Sequence, residues 1–160
     1  MREINPDIVL ITPGMEFDTP LGKVAVGDVG DNHWDCEKNK YALILDLGGN
    51  DTYDGWVAAP SGPDNAISVI IDLGGNDQYR STHRFGLASG ACGTGILYDA
   101  SGDDTYECAE WGIGCAFCGV GLLIDKEGDD KYIGGDMTIG CAAYGVGAVR
   151  RDWLNVARTL

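Results

Sequence analysis

One stretch recurs through this chain at a nearly constant step, and that step limits the folds open to it. Leu45-Asp46-Leu47-Gly48-Gly49-Asn50-Asp51-Thr52-Tyr53 returns as residues Ile71 to Tyr79, Tyr98 to Tyr106 and Ile124 to Tyr132. The leading aspartates fall at Asp46, Asp72, Asp99 and Asp125, spaced by 26, 27 and 26 residues. A unit of that size cannot bury an apolar face alone; it does so by stacking on its neighbours. The expected fold is therefore all-β, a parallel β-solenoid (a β-helix, expected to be right-handed) of about five coils with short terminal caps. The expected division of this single domain over 1–160 is an N-terminal cap at 1–20, coils at 21–149 and a C-terminal cap at 150–160.

The register extends into the second half of each unit. Gly95, Gly121 and Gly147 coincide, as do Gly93, Gly119 and Gly145, which suits close backbone approach or a corner. Phe85, Trp111 and Met137 form an apolar column, with Leu87, Ile113 and Ile139 beside it. Val24 to Trp34 reads as a shortened first copy, placing Trp34 beneath Tyr53 and Gly30 beneath Gly49. At the other end Arg151 stands where the repeat expects an Asp, and residues 152–160 read as a helical cap. Residues 7–12 read as a short strand closed by Pro13-Gly14.

Leu43-Ile44-Leu45, Val69-Ile70-Ile71, Ile96-Leu97-Tyr98 and Leu122-Leu123-Ile124 are apolar throughout. With Ile44, Ile70, Leu97 and Leu123 inward, the columns from Leu43 and Leu45 make an apolar outer face, to be covered by a terminal segment or another copy of the chain. The register also stacks Cys92 under Cys118, and Ser89 under Cys115 and Cys141. Side chains in register on parallel strands run side by side about 4.8 Å apart, so these thiols are expected to be free core hydrophobes. Cys36 and Cys108 fall outside these columns.

Charge narrows the partners. The chain carries 25 acidic against 11 basic side chains, a net charge of -14, which repels nucleic acid and anionic lipid and attracts cations. No run approaches the roughly 20 apolar residues of a membrane helix, and the opening residues lack a basic-then-apolar leader. Gly is abundant, at 25 residues, yet 44% of the chain is hydrophobic, which describes an ordered repeat and not a linker.

Stacking the turns gathers ten carboxylates into three columns: Asp46, Asp72, Asp99, Asp125; then Asp103 and Asp129 below Asn50 and Asn76; then Asp51, Asp77, Asp104, Asp130. Like charges one strand apart repel by about 1 kcal/mol in water and by several where the dielectric is lower, so donors, protons or cations are required. The D-x-G-G pattern suits an Asp that caps its own turn, which accounts for the Asp46 column without a metal. The Asp51 column is open to either capping or coordination of Ca²⁺, a hard cation taking six to eight oxygens.

Gly49-Asn50-Asp51-Thr52-Tyr53 and its copies resemble the second half of the RTX nonapeptide, the Gly/Asp-rich repeat of calcium-bound parallel β-rolls. The resemblance covers about six residues in each of four turns, within a coil much longer than the nonapeptide pair. It implies Ca²⁺ as cofactor, with Asp51, Asp77, Asp104 and Asp130 as ligands and Asp103 and Asp129 beside them, and the tyrosines as core.

Tyr53, Tyr79, Tyr106 and Tyr132 suit a core column with hydroxyls at a polar edge; a sugar-stacking ladder is the alternative. Arg80-Ser81-Thr82-His83-Arg84 holds the one extra residue of the repeat and the most basic patch. His83, Arg84 and Arg80 are the only candidates for catalysis. The function expected is a non-enzymatic structural or binding module with Ca²⁺ in its acidic turns, within a surface or secreted protein. The rivals are a β-helix enzyme acting on acidic polysaccharide, and a self-assembling protein that forms homo-oligomers through its apolar face.

Overall fold

The structure, a computed structural model, describes residues 12–151. The strand expected at 7–12 lies almost wholly outside that range, and the helical cap expected at 152–160 wholly outside it.

Strand β1 (Glu16–Thr19) is followed by a shortened coil of β2 (Gly22–Val26) and β3 (His33–Cys36), then by β4 (Tyr41–Asp46) and β5 (Thr52–Gly55). Three coils of three strands follow: β6 (Ile67–Asp72), β7 (Gln78–Ser81) and β8 (Gly90–Ala91); β9 (Thr94–Asp99), β10 (Thr105–Cys108) and β11 (Ala116–Phe117); β12 (Val120–Asp125), β13 (Lys131–Gly134) and β14 (Ala142–Ala143). Strand β15 (Val146–Arg151) begins a further turn. Like strands stack into three sheets, in the orders β1-β2-β4-β6-β9-β12-β15, β3-β5-β7-β10-β13 and β8-β11-β14. Every pairing is parallel except β1 with β2. The protein is a β-solenoid of four full turns preceded by a shortened one.

The antiparallel β1 closes the open edge of β2, which would otherwise present unpaired backbone groups to another chain. Among the described residues there is no helix, and so none long and apolar enough to cross a membrane, a statement that does not bear on β-barrels.

Alternation along the first sheet sets the core. Ile44, Ile70, Leu97 and Leu123 are fully buried, while Leu43, Leu45, Val69, Ile71, Ile96, Tyr98, Leu122 and Ile124 face outward and are half-buried. The second sheet contributes an aromatic column, with Trp34 over Tyr53, then Tyr79, Tyr106 and Tyr132. The tyrosine rings stack 4.7–4.9 Å apart between centroids. Buried Val57, Leu87 and Ile113 close the third side. Each large side chain so buried contributes about 1.5–3 kcal/mol, which is how a Gly-rich coil holds together.

The corners are locked by backbone in the left-handed region. Phe85, Trp111 and Met137 lie at φ 57°, 53° and 53°, and Cys92, Cys118 and Tyr144 at 55°, 53° and 57°. Non-glycine residues enter that region at a cost, so its recurrence at two register positions marks corners fixed by the stack.

One expectation is corrected here. Cys115 and Cys141 are joined as a disulfide between successive coils, with Cα atoms 4.5 Å apart, while Cys36, Cys92, Cys108 and Cys118 are free. The two bonded residues sit one position before β11 and β14, at a corner. There the side-by-side alignment of strand side chains no longer holds, and a Cα separation of 4.5 Å permits the bridge. Cys36 and Cys108 occupy one inward column at the ends of β3 and β10, where burial pushes both thiols above their usual range.

Candidate metal centre in the aspartate columns

The three acidic columns part company once in register. Alternation from Ile44 places Asp46 inward, and Asp46, Asp72, Asp99 and Asp125 are each fully buried at the ends of β4, β6, β9 and β12. One oxygen caps the turn: Asp46, Asp72 and Asp99 accept the amides of Gly48, Gly74 and Ser101 at 3.2, 2.9 and 3.2 Å. The other faces the aromatic stack. Trp34 Nε1 donates to Asp46 at 2.6 Å, Tyr53 to Asp72 at 2.6 Å, Tyr79 to Asp99 at 2.6 Å, and Tyr132 to Asp125. Capping thus accounts for one oxygen of Asp46, Asp72 and Asp99, and the aromatic donors for the second, while Asp125 Oδ1 is buried without a partner among the described residues. The Tyr106 hydroxyl has no hydrogen-bond partner among the described residues.

Asn50, Asn76, Asp103 and Asp129 point to solvent. The side-chain oxygens of Asn50, Asn76 and Asp103 each accept the amide of the residue one coil later, from Asn76, Asp103 and Asp129 in turn, all at 2.9 Å. Asp31 begins this outer ladder by accepting the Asn50 amide at 2.8 Å. Asp103 and Asp129 are therefore kept apart from the inward carboxylates beside them.

The third column runs the other way. Asp51, Asp77, Asp104 and Asp130 turn inward, and each Oδ1 accepts an amide from one coil earlier: Asn32 at 2.5 Å, Asp51 at 2.6 Å, Asp77 at 2.7 Å and Asp104 at 3.0 Å. Glycines make this approach possible. Gly75 has φ +145°, and a Cβ there would overlap the Gly49 carbonyl oxygen.

That leaves the second oxygens. Oδ2 of Asp51, Asp77 and Asp104 is buried with no hydrogen-bond partner among the described residues, and each of the three residues is 1% exposed. Each meets the turn-capping aspartates, so that carboxylate oxygens of Asp51, Asp72 and Asp77 lie within 4.8 Å of one another, as do those of Asp77, Asp99 and Asp104. Burial is the largest influence on these groups, and neighbouring carboxylates add to it: Asp51 is pushed up to about 7, Asp77 to about 8 and Asp104 to about 9. Asp99 and Asp125 are raised to about 7 and about 6, again chiefly by burial.

At the end of the column a side chain supplies the positive charge. Arg151, in register with Asp125, places Nη2 3.0 Å from Asp130 Oδ2. The pairing is one of charge and not an aligned hydrogen bond, since the same nitrogen donates to the Gly128 carbonyl at 3.0 Å.

Asp72 and Asp99 are the residues that reading the motif alone leaves out of the candidate centre. The alternation that sends Ile70 and Leu97 inward sends them inward too, and that signal was available.

The basic loop forms a separate surface groove of about 430 Å³, lined by Arg80, Ser81, Thr82, His83, Glu37, Asp54 and Glu107. His83 stacks on Trp56 at 4.5 Å and lies 2.6 Å from Glu37 through Nε2. Arg84 pairs with Glu110, and Arg80 donates to Gln78. The groove thus sets three carboxylates against Arg80 and a His83 already engaged, a poor complement for an acidic polysaccharide.

Comparison with protein-family models, curated proteins and solved structures returns no match to this chain.

Proposed function

We propose that the protein is a non-enzymatic structural or binding module, a solenoid whose interior aspartate column takes up Ca²⁺. The observation that carries this reading is the row of partnerless buried oxygens on Asp51, Asp77 and Asp104, facing Asp72 and Asp99. A buried carboxylate oxygen without a donor is costly, and the two ways to relieve it are a proton or a metal ion. Three carboxylates within 4.8 Å of one another form a hard-oxygen set suited to Ca²⁺. Asp51, Asp77 and Asp104 would hold the ions with Asp72 and Asp99, and Asp130 would do so where Arg151 leaves room. Asp103 and Asp129, engaged in the solvent-facing ladder, would remain outside. The bound cation supplies charge neutralisation between coils; the chain's own part is to align the oxygens through backbone amides and exclude water with the tyrosine stack.

Isothermal titration of chelator-treated protein with CaCl₂ at neutral pH tests the reading. Saturable binding that Asp77→Asn abolishes or sharply weakens supports it, with circular dichroism confirming that the variant keeps its fold. Absence of heat, together with no calcium retained after gel filtration, refutes it.

A further inference from the structure

Outside the acidic columns, Cys92 and Cys118 stand at the corner that follows β8 and β11. The pairs Ala91↔Phe117 and Thr94↔Val120 flank them with equal numbers of residues between, so Cys118 sits directly over Cys92. The Cys92 amide donates to the Phe117 carbonyl at 2.8 Å, which holds the two corners in register. Both residues have left-handed backbone, φ 55° and 53°, and both are exposed and free. Stacked residues on adjoining parallel coils have Cα atoms about 4.8 Å apart, inside the span a disulfide bridges. The chain already bridges the same one-coil step at Cys115 and Cys141, three residues before Cys118 and Tyr144.

We infer that Cys92 and Cys118 form a reversible dithiol–disulfide site on the solenoid surface, whose oxidation links the third and fourth coils as Cys115–Cys141 links the fourth and fifth. The reactant is a small disulfide such as oxidised glutathione. One thiolate attacks it, giving a mixed disulfide and releasing one glutathione thiolate. The second cysteine thiolate then displaces the other glutathione, so the protein pair loses two protons and two electrons and two reduced glutathiones form. Buried Cys36 and Cys108 are shielded from the reaction.

The test uses the full chain with its Cys115–Cys141 bond intact. Native titration with a chromogenic disulfide should count two accessible thiols, and both should disappear after incubation with oxidised glutathione. Mass spectrometry should then find the loss of two hydrogens and no glutathione adduct, with peptide mapping joining Cys92 to Cys118. The melting midpoint should rise by about 5–10 °C, because the new bond closes a loop of similar length to the existing one. Cys92→Ser should leave one thiol that stops at the glutathione adduct. Two stable adducts on the wild-type chain, thiols that survive the oxidant, or a crosslink found only between molecules would each overturn the inference.

Discussion

Withdrawing divalent cations and raising the pH should together unmake the solenoid along its acidic edge. The carboxyls of Asp51, Asp77 and Asp104 titrate at about 7, about 8 and about 9 in the fold, against an ordinary value of 3.8. Between the unfolded and folded values the native state binds more protons than the unfolded chain, so stability falls as pH rises. This contribution is fully present below about pH 4 and is lost progressively up to about pH 9. For Asp51 alone, the move from 3.8 to about 7 sets an upper bound of about 4 kcal/mol, which proton sharing with the neighbouring carboxyls and screening by solvent reduce. Set against a total of about 5–15 kcal/mol for a domain, ionising two such groups without a counter-ion removes much of the fold's stability. A cation reverses the balance by stabilising the ionised form. The assay is thermal melting by circular dichroism from pH 5 to 9 at fixed ionic strength, in chelator and in excess CaCl₂. In chelator the midpoint should drop by roughly 10 °C or more between pH 6 and 9, while calcium holds it, so that the gap widens with pH. A chelator curve that stays flat or climbs over that range would refute the reasoning about the buried column, and a gap that does not widen would refute the part assigned to calcium.

Two substitutions probe the supports of that column. Tyr79→Phe removes the hydroxyl that donates to Asp99 at 2.6 Å and Asp72 at 3.2 Å, and should cost about 1–3 kcal/mol in urea denaturation; a loss within experimental error would mean those oxygens find other donors. Gly75→Ala should cost about 3 kcal/mol or more, because a Cβ overlaps the Gly49 carbonyl and φ is +145°; a near-normal urea midpoint would show that the turn can be rebuilt without that approach.

The architecture was legible in the sequence because its determinant is a period. Asp46, Asp72, Asp99 and Asp125 recur at one step, and the structure pairs them strand to strand, as it pairs Trp34 with Tyr53 and Asp125 with Arg151. The tyrosines were legible as core for the same reason. Less was legible in the turns. Adjacent Asp103 and Asp104 carry the same chemistry, yet one faces solvent and the other the interior, and only the three-dimensional path of the turn separates them. The disulfide was missed because side-chain direction was taken from strands, whereas Cys115 and Cys141 follow the left-handed Gly114 and Gly140 at a corner. The double role of Asp72, capping its own turn and receiving the Tyr53 hydroxyl from the preceding coil, depends on a contact between units that no single repeat contains.

The two ladders that flank each turn carry their bonds in opposite senses. Asn50 reaches forward to the amide of Asn76, and its neighbour Asp51 reaches back to the amide of Asn32. Successive residues thus fasten a coil to the coils on both sides, like lacing drawn through in two directions. Peeling from the first coil or from the last meets a comparable row of fasteners along this edge, so unravelling has no favoured starting end there. An edge built in this way turns a row of separable repeats toward the behaviour of a single stiff rod.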